Sequence, residues 1–199
     1  MSHIQKALTH GLTPWQTVGP FFHYALPWEG GNTLVGSDVS GEKIVLIGQV
    51  VDSDGAPIPD AMVEIWQADA GGYYHHPDDP RHAEIKDRDF IGFGRCPTDE
   101  EGFYRFETVR PGPVSGPGNS VQAPHIAIGL FGRGLLRRLV TRAYFPDSPL
   151  NEADPVLGLI TPERVATVIA SAEPPVDGIP VFRLDLRFQG DCETVFFDV

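Results

Sequence analysis

The sequence predicts an all-β protein, and three observations carry that expectation. Glycine and proline number 22 and 19 in 199 residues, with no collagen-like period, so turns are frequent and elements short. Apolar runs of strand length recur between turn residues. Over 182–188 the alternation is strict: Phe182, Leu184, Leu186 and Phe188 share one face and Arg183, Asp185 and Arg187 the other, as in a strand half covered by a core.

Taken in order, residues 1–42 are built around TPWQTVGPFFHYALPW and hold neither a period of 2 nor one of 3.6. Aromatic residues at that density have to be covered, so this segment is expected to be an ordered arm packing either on its own domain or on a partner. From Lys43 the chain reads as strands: KIVLIGQVVD, a turn segment SDGAPIPD centred on Asp54-Gly55, then AMVEIWQAD. FIGFGRC, FYRFETV, HIAIGLF, RRLVTRAYF, VFRLDLRFQ and ETVFFDV follow as further strands. One helix is predicted over 161–172, TPERVATVIASA, with Thr161 as N-cap, Pro162 in the first turn, and Val165, Val168, Ile169 and Ala172 on one stripe. No internal repeat or linker divides 43–199, which is read as a single β-sandwich domain following the arm.

The formal charge of −12 argues against nucleic acid, whose phosphates demand clustered Lys and Arg; the basic stretch from Arg133 to Arg142 is too short to reverse that. No run approaches the roughly 18 apolar residues of a membrane span. Cys96 and Cys192 lie far apart, outside any CxxC pattern, and MSHIQKALTHGLTP lacks the apolar stretch of a signal sequence. Reduced thiols and a cytoplasmic location are the expectation.

Several stretches carry chemistry when taken together: EIWQADAGGYY (64–74), FGRCPTDEEGFYRFETVRPGPV (93–114), APHIAIGLFGRG (123–134), TRAYFPD (141–147) and FQGDCETVFFDV (188–199). In this order, and with the opening TPWQTVGPFFHYAL, they resemble the intradiol ring-cleaving dioxygenases from about Thr13 to the C-terminus. The resemblance implies a β-sandwich whose active chain holds one Fe(III) through two tyrosines and two histidines. Phenolate and imidazole suit ferric iron, which prepares a bound catechol for attack by O2.

Position by position, the sequence departs from that ligand set. Tyr74 of Gly72-Tyr73-Tyr74 keeps the first tyrosine, but the second, after Arg110-Pro111-Gly112-Pro113, is Val114. In an HxH pair strand alternation aims both rings to one side; His125 is kept, and position 127 is Ala127. The arginine expected three residues before the first histidine is Gln122. Two surviving donors fall short of the three or four that a mononuclear site uses. The resemblance therefore points to the iron-free α subunit of a two-subunit member, with Fe(III) in a homologous β subunit, αβ units in a larger hetero-oligomer, and protocatechuate and O2 as substrates. This chain is then expected to bind no metal, to hold no catalytic residue and to be inactive alone. It would lend Thr17, Gly19, Pro20, Phe21 and Arg133 to the wall of the shared pocket, Phe21 standing where a tyrosine is expected.

Plainer readings stand beside these. His125 and Tyr74 also read as packed residues with satisfied polar atoms. Arg133, with Arg137, Arg138 and Arg142, also reads as a solvated strand face. HHPDDPRH (75–82) offers His75, His76 and His82 to a metal, yet its prolines make it an exposed loop. The chain as a whole also reads as a stand-alone iron-free sandwich that binds an aromatic ligand or serves as a scaffold.

Overall fold

The computed structural model describes residues 14–36, 38–85 and 89–198. The first of two facing sheets is centred on β1 (Lys43–Val51), whose nearly continuous apolar run suits a strand flanked on both sides. On one side β1 pairs antiparallel with β4 (Phe103–Val109). On the other it runs parallel to β10 (Ile179–Arg183) and then β11 (Leu186–Arg187). Strand β9 (Ser171–Val176) closes that edge against β10.

The second sheet is antiparallel throughout, in the order β3 (Phe93–Pro97), β2 (Met62–Trp66), β7 (His125–Phe131), β8 (Leu139–Tyr144). A small ribbon pairs β5 (Val114–Ser115) with β6 (Val121–Gln122). The all-β sandwich expected from the sequence is what the chain forms.

Between the sheets Leu46, Val50, Phe106, Phe182, Leu184 and Leu186 meet Val63, Ile65, Ile126, Ile128, Leu130 and Ala143. Each such side chain contributes about 1.5–3 kcal/mol by leaving water. The one large polar tip in this core, the Tyr104 hydroxyl, donates to the Leu184 carbonyl at 2.6 Å, and burial pushes its pKa well up. Gly48 makes that approach possible, because a Cβ there would lie 1.9 Å from the same carbonyl oxygen. On the opposite face of the second sheet, Ala123, Tyr144, Leu157 and Val168 form a second buried cluster.

Strands β4 and β7 keep their predicted bounds, and the apolar face of 182–188 is buried except for partly covered Phe188. Asp54-Gly55 does turn: Gly55 has φ +83° and the Asp52 carboxylate accepts the N–H groups of Asp54 and Ala56 at 2.9 Å. The turn carries the chain from one sheet to the other, so β1 and β2 are not a hairpin.

The predicted helix over 161–172 is corrected to α2 (Pro162–Val165) and a single 3-10 turn, Ala166–Val168; Thr161 makes no side-chain cap. Its β-branched residues are weak helix formers, and tertiary partners claim them. Val168 enters the second cluster, Ile169 bridges to Tyr144, and Ser171 opens β9.

ETVFFDV is not a strand within the described residues, which stop at 198: Phe197 makes one isolated bridge to Val140, while Thr194 exchanges bonds with the Arg187 backbone. The predicted strand over 181–189 is interrupted at Leu184 and Asp185. A helical turn in the arm, α1 (Phe22–Ala25), and the proline-bearing edge strand β9 were not predicted.

The arm's first thirteen residues lie outside the described set. From Trp28 onward it is tied to its own sandwich. The Trp28 ring stacks on Phe93 with centroids 6.0 Å apart, Arg95 lies over it while donating to the Leu26 carbonyl at 2.7 Å, and the Leu34 N–H reaches Glu107. Trp15, Phe21 and Tyr24 are exposed. Cys96 is buried, Cys192 is exposed, and both are free thiols. Among the described residues no helix is long and apolar enough to cross a membrane.

Candidate functional site

The loop after β2 is folded by Asp69. Its Oδ1 accepts the N–H groups of Gly71 and Tyr73 at 2.8 and 3.0 Å, and its backbone carbonyl accepts Gly72 and Gly112. Gly72 has φ +82°, and a Cβ there would meet the Pro113 carbonyl oxygen at 2.2 Å, so glycine lets the loop lie directly on 111–114. Tyr74 is thereby delivered beside Val114, its ring stacked on Trp66 at 5.9 Å and 7°. Its N–H donates to Asp79, which pairs with Arg81, and Arg81 returns to the Gly72 carbonyl at 2.7 Å. Trp66, Tyr74, His76 and Val114 border a cleft of about 430 Å³.

His125 opens β7 and is 5% exposed. Its Nδ1 lies 2.7 Å from the Ala123 carbonyl, which only accepts, so Nδ1 carries the proton. Burial, reinforced by the Arg142 charge, lowers its pKa to about 4. The imidazole is neutral at physiological pH. Across the ladder it faces Tyr144, ring centroids 5.5 Å apart. The Tyr144 hydroxyl donates to Asp154 Oδ1 at 3.2 Å, and Asp154 also accepts the N–H groups of Ala123, Val156 and Leu157. This carboxylate ties the approach to β7 to the 154–157 turn.

Ala127 is flanked in the ladder by Trp66 on β2 and Arg142 on β8. Arg142 Nη1 donates to Gln122 Oε1 at 2.7 Å and to the Tyr144 hydroxyl at 3.2 Å. Gln122 in turn donates to the Ser115 carbonyl and stands opposite Val114 in the small ribbon. Burial raises the Tyr74 pKa more than the Arg142 charge lowers it, which leaves Tyr74 a neutral phenol.

Tyr74, Val114, Gln122, His125 and Ala127 thus gather at one end of the second sheet. Between them they offer a metal one phenol and one imidazole. Among the described residues no group of three or more His, Cys, Asp or Glu side chains is arranged to hold a metal ion. The histidines of 75–82 border one cleft without forming such a group: His75 turns inward to Asp69 at 3.2 Å, while His76 and His82 are exposed.

The other expected residues lie elsewhere. Arg133 is in the turn past the far end of β7, exposed and paired with Asp60. Thr17, Pro20 and Phe21 are exposed, Phe21 by 73%, and Gly19 turns the arm with φ +79°. Trp15, under the Arg137 guanidinium, brings the arm to the same β7–β8 turn. Sequence reasoning placed Arg142 in a basic patch with Arg133. The fold separates them, and the signal that finds Arg142 is the cross-strand register, which a single sequence does not display. Trp66 and Asp154 were missed for the same reason.

A family model described as Dioxygenase matches residues 18–190. The chain is 40% identical over 199 residues to the protocatechuate 3,4-dioxygenase alpha chain of Burkholderia cepacia, covering 94% of this chain and 97% of that one. It is 43% identical over 170 residues to the beta chain of the same enzyme from that organism, covering 84% and 68%. Catechol 1,2-dioxygenase from Acinetobacter sp. ADP1 superposes with a TM-score of 0.62 at 26% identity, over 78% of this chain and 55% of that one. With the fold, the motif order and these relatives in agreement, the chain belongs to the intradiol ring-cleavage dioxygenases.

Proposed function

We propose that this chain is the iron-free α subunit of a protocatechuate 3,4-dioxygenase. Joined to an iron-bearing β subunit, it takes part in the insertion of both atoms of O2 between the two hydroxyl-bearing carbons of protocatechuate, giving 3-carboxy-cis,cis-muconate in the cytoplasm. The observation that carries this reading is the reduced donor set in a chain similar to α chains over nearly its whole length. Tyr74 and His125 remain, Val114 and Ala127 offer nothing to a metal, and the adjacent charged group is the cation Arg142. These residues do not fit a ferric ion, and the ion is assigned to the partner.

Within the arm (1–42), the part ahead of Trp28 is assigned to packing on the β subunit, and 43–199 to the dioxygenase-like sandwich, against which the arm from Trp28 onward already lies. Exposed Trp15, Phe21 and Tyr24 support that division, because large aromatics on a soluble surface call for a cover. Thr17, Gly19, Pro20 and Phe21, with Arg133 near the same turn, form this chain's share of the pocket wall. Arg133 supplies positive charge for the substrate carboxylate.

The test is expression of the chain alone and together with a β partner, with iron content, O2 uptake and muconate formation measured. The isolated chain is expected to be iron-free and inactive, and the co-expressed pair to hold iron and turn over. Stoichiometric iron with turnover in the isolated chain overturns the assignment.

A further inference from the structure

The four ligand positions implied by the family are 74, 114, 125 and 127, and the neighbours of one side chain of this protein lead to them. Arg142 is the direct ladder neighbour of Ala127. Where a side chain at 127 would project, a methyl group leaves room, and the guanidinium turns along the sheet to Gln122 at 2.7 Å and the Tyr144 hydroxyl at 3.2 Å. Gln122 is the register partner of Val114, and Tyr144 is the register partner of His125. The Arg142 charge is also felt at Tyr74 on the far loop and at His125.

A second observation concerns its partners. Arg142 is only partly exposed, yet among the described residues it forms no ion pair with a carboxylate. The nearby Asp154 is saturated by three backbone N–H groups and a hydroxyl. Both contacts of Arg142 are to neutral oxygens. An ordinary strand arginine in such a place takes a carboxylate partner or extends to water. This one is a fixed, unneutralised cation held by a polar chain running from Gln122 through Tyr144 to Asp154. Guanidinium does not lose its proton in a protein, so the charge is permanent.

We propose that Arg142 is the resident cation of the remnant pocket, filling the centre of the former ligand positions and barring a metal ion from it. The inference rests on the reading of this chain as the iron-free subunit. It adds that the missing donors are only half of the exclusion: restoring ligands without removing Arg142 leaves the pocket closed to metal.

The test uses the full chain in two rebuilt forms, V114Y/A127H and V114Y/A127H/R142Q, alongside wild type and R142Q. Each is exposed to iron, and folding is checked by circular dichroism. Metal content by mass spectrometry and the visible tyrosinate-to-iron band are the readouts. V114Y/A127H is expected to hold no more iron than wild type, and the triple variant to bind iron stoichiometrically with colour. Equal loading of the two overturns the proposal, as does a folded triple variant that stays at the wild-type level.

Should the triple variant fail to fold, A127H and A127H/R142Q are titrated with zinc, for which three protein donors suffice. At least tenfold tighter zinc binding in A127H/R142Q is expected; equal affinity overturns the proposal. Iron already present in the unaltered chain would instead overturn the subunit assignment, a separate outcome read from the wild-type sample.

Discussion

Replacing His125 with asparagine is expected to flatten the acid side of the chain's stability profile. Burial and the Arg142 charge hold the imidazole at about 4, against an ordinary value of 6.5. Above the unfolded value both states are neutral and the group contributes no pH dependence. As pH falls through 6.5 the unfolded chain takes up a proton that the folded chain refuses, so stability drops until the folded site protonates near 4. One pKa unit corresponds to about 1.4 kcal/mol, so the full loss is about 3 kcal/mol, of which about 2–2.5 kcal/mol accrues between about pH 7 and pH 4.5.

Asparagine preserves a donor for the Ala123 carbonyl and carries no titrating group. The assay is denaturant unfolding of wild type and H125N across this range, with the two profiles subtracted so that carboxylates common to both cancel. The difference should narrow toward acid. Parallel profiles would show that His125 protonates freely in the folded chain, and that the closed arrangement around Ala123 and Tyr144 is wrong.

Three further outcomes follow from the same geometry. D154A removes the acceptor of three N–H groups and a hydroxyl at a carboxylate 2% exposed. A loss of about 3–5 kcal/mol is expected from unpaired donors, and a loss below about 1 kcal/mol in thermal or denaturant unfolding contradicts it. G72A sets a Cβ 2.2 Å from a backbone carbonyl at φ +82°, so stability should fall by about 2–4 kcal/mol; unfolding midpoints within experimental scatter of wild type would refute the loop-on-loop contact. F21A should leave the isolated chain within about 0.5 kcal/mol of wild type while weakening assembly with a β partner about tenfold or more, measured by sedimentation; unchanged assembly removes the arm from the interface.

Much of the fold was legible because the signals involved are local. Strands β4 and β7 are apolar-rich runs bounded by turn residues, so their limits are the observed ones. TPERVATVIASA failed as a twelve-residue helix because Pro162 opens a helical turn but the β-branched second half is claimed by Tyr144 and by β9, partners distant in sequence. ETVFFDV alternates like a strand, yet a strand needs one neighbour along its length, and here Thr194 bonds to Arg187 while Phe197 bridges to Val140. The candidate site divides in the same way. Period 2 puts His125 and Ala127 on one face, and Gly72 marks the close approach that brings Tyr74 to Val114. Arg142 depends on the β7–β8 register, a non-local quantity, and was therefore grouped with the arginines nearest to it in sequence.

The two ends of β7 are held in different ways. At the first end His125 is fixed through Nδ1 by the Ala123 carbonyl and faced by Tyr144, whose hydroxyl is bound to the saturated carboxylate of Asp154. Groups bound in this way have little left to offer a ligand, and substitutions there should register as lost stability. At the far end Arg133 stands in an exposed turn paired with the partly buried Asp60, and the arm beside it presents Phe21 and Trp15 to solvent. The Asp60 end of the pair is largely covered while the Arg133 guanidinium is exposed, so Arg133 keeps an open side toward an anionic group brought by a partner or substrate. A subunit that has lost its metal donors but serves a neighbour's chemistry should show this asymmetry: a remnant pocket closed on itself, and an uncovered edge whose charged and aromatic groups find their partners across an interface.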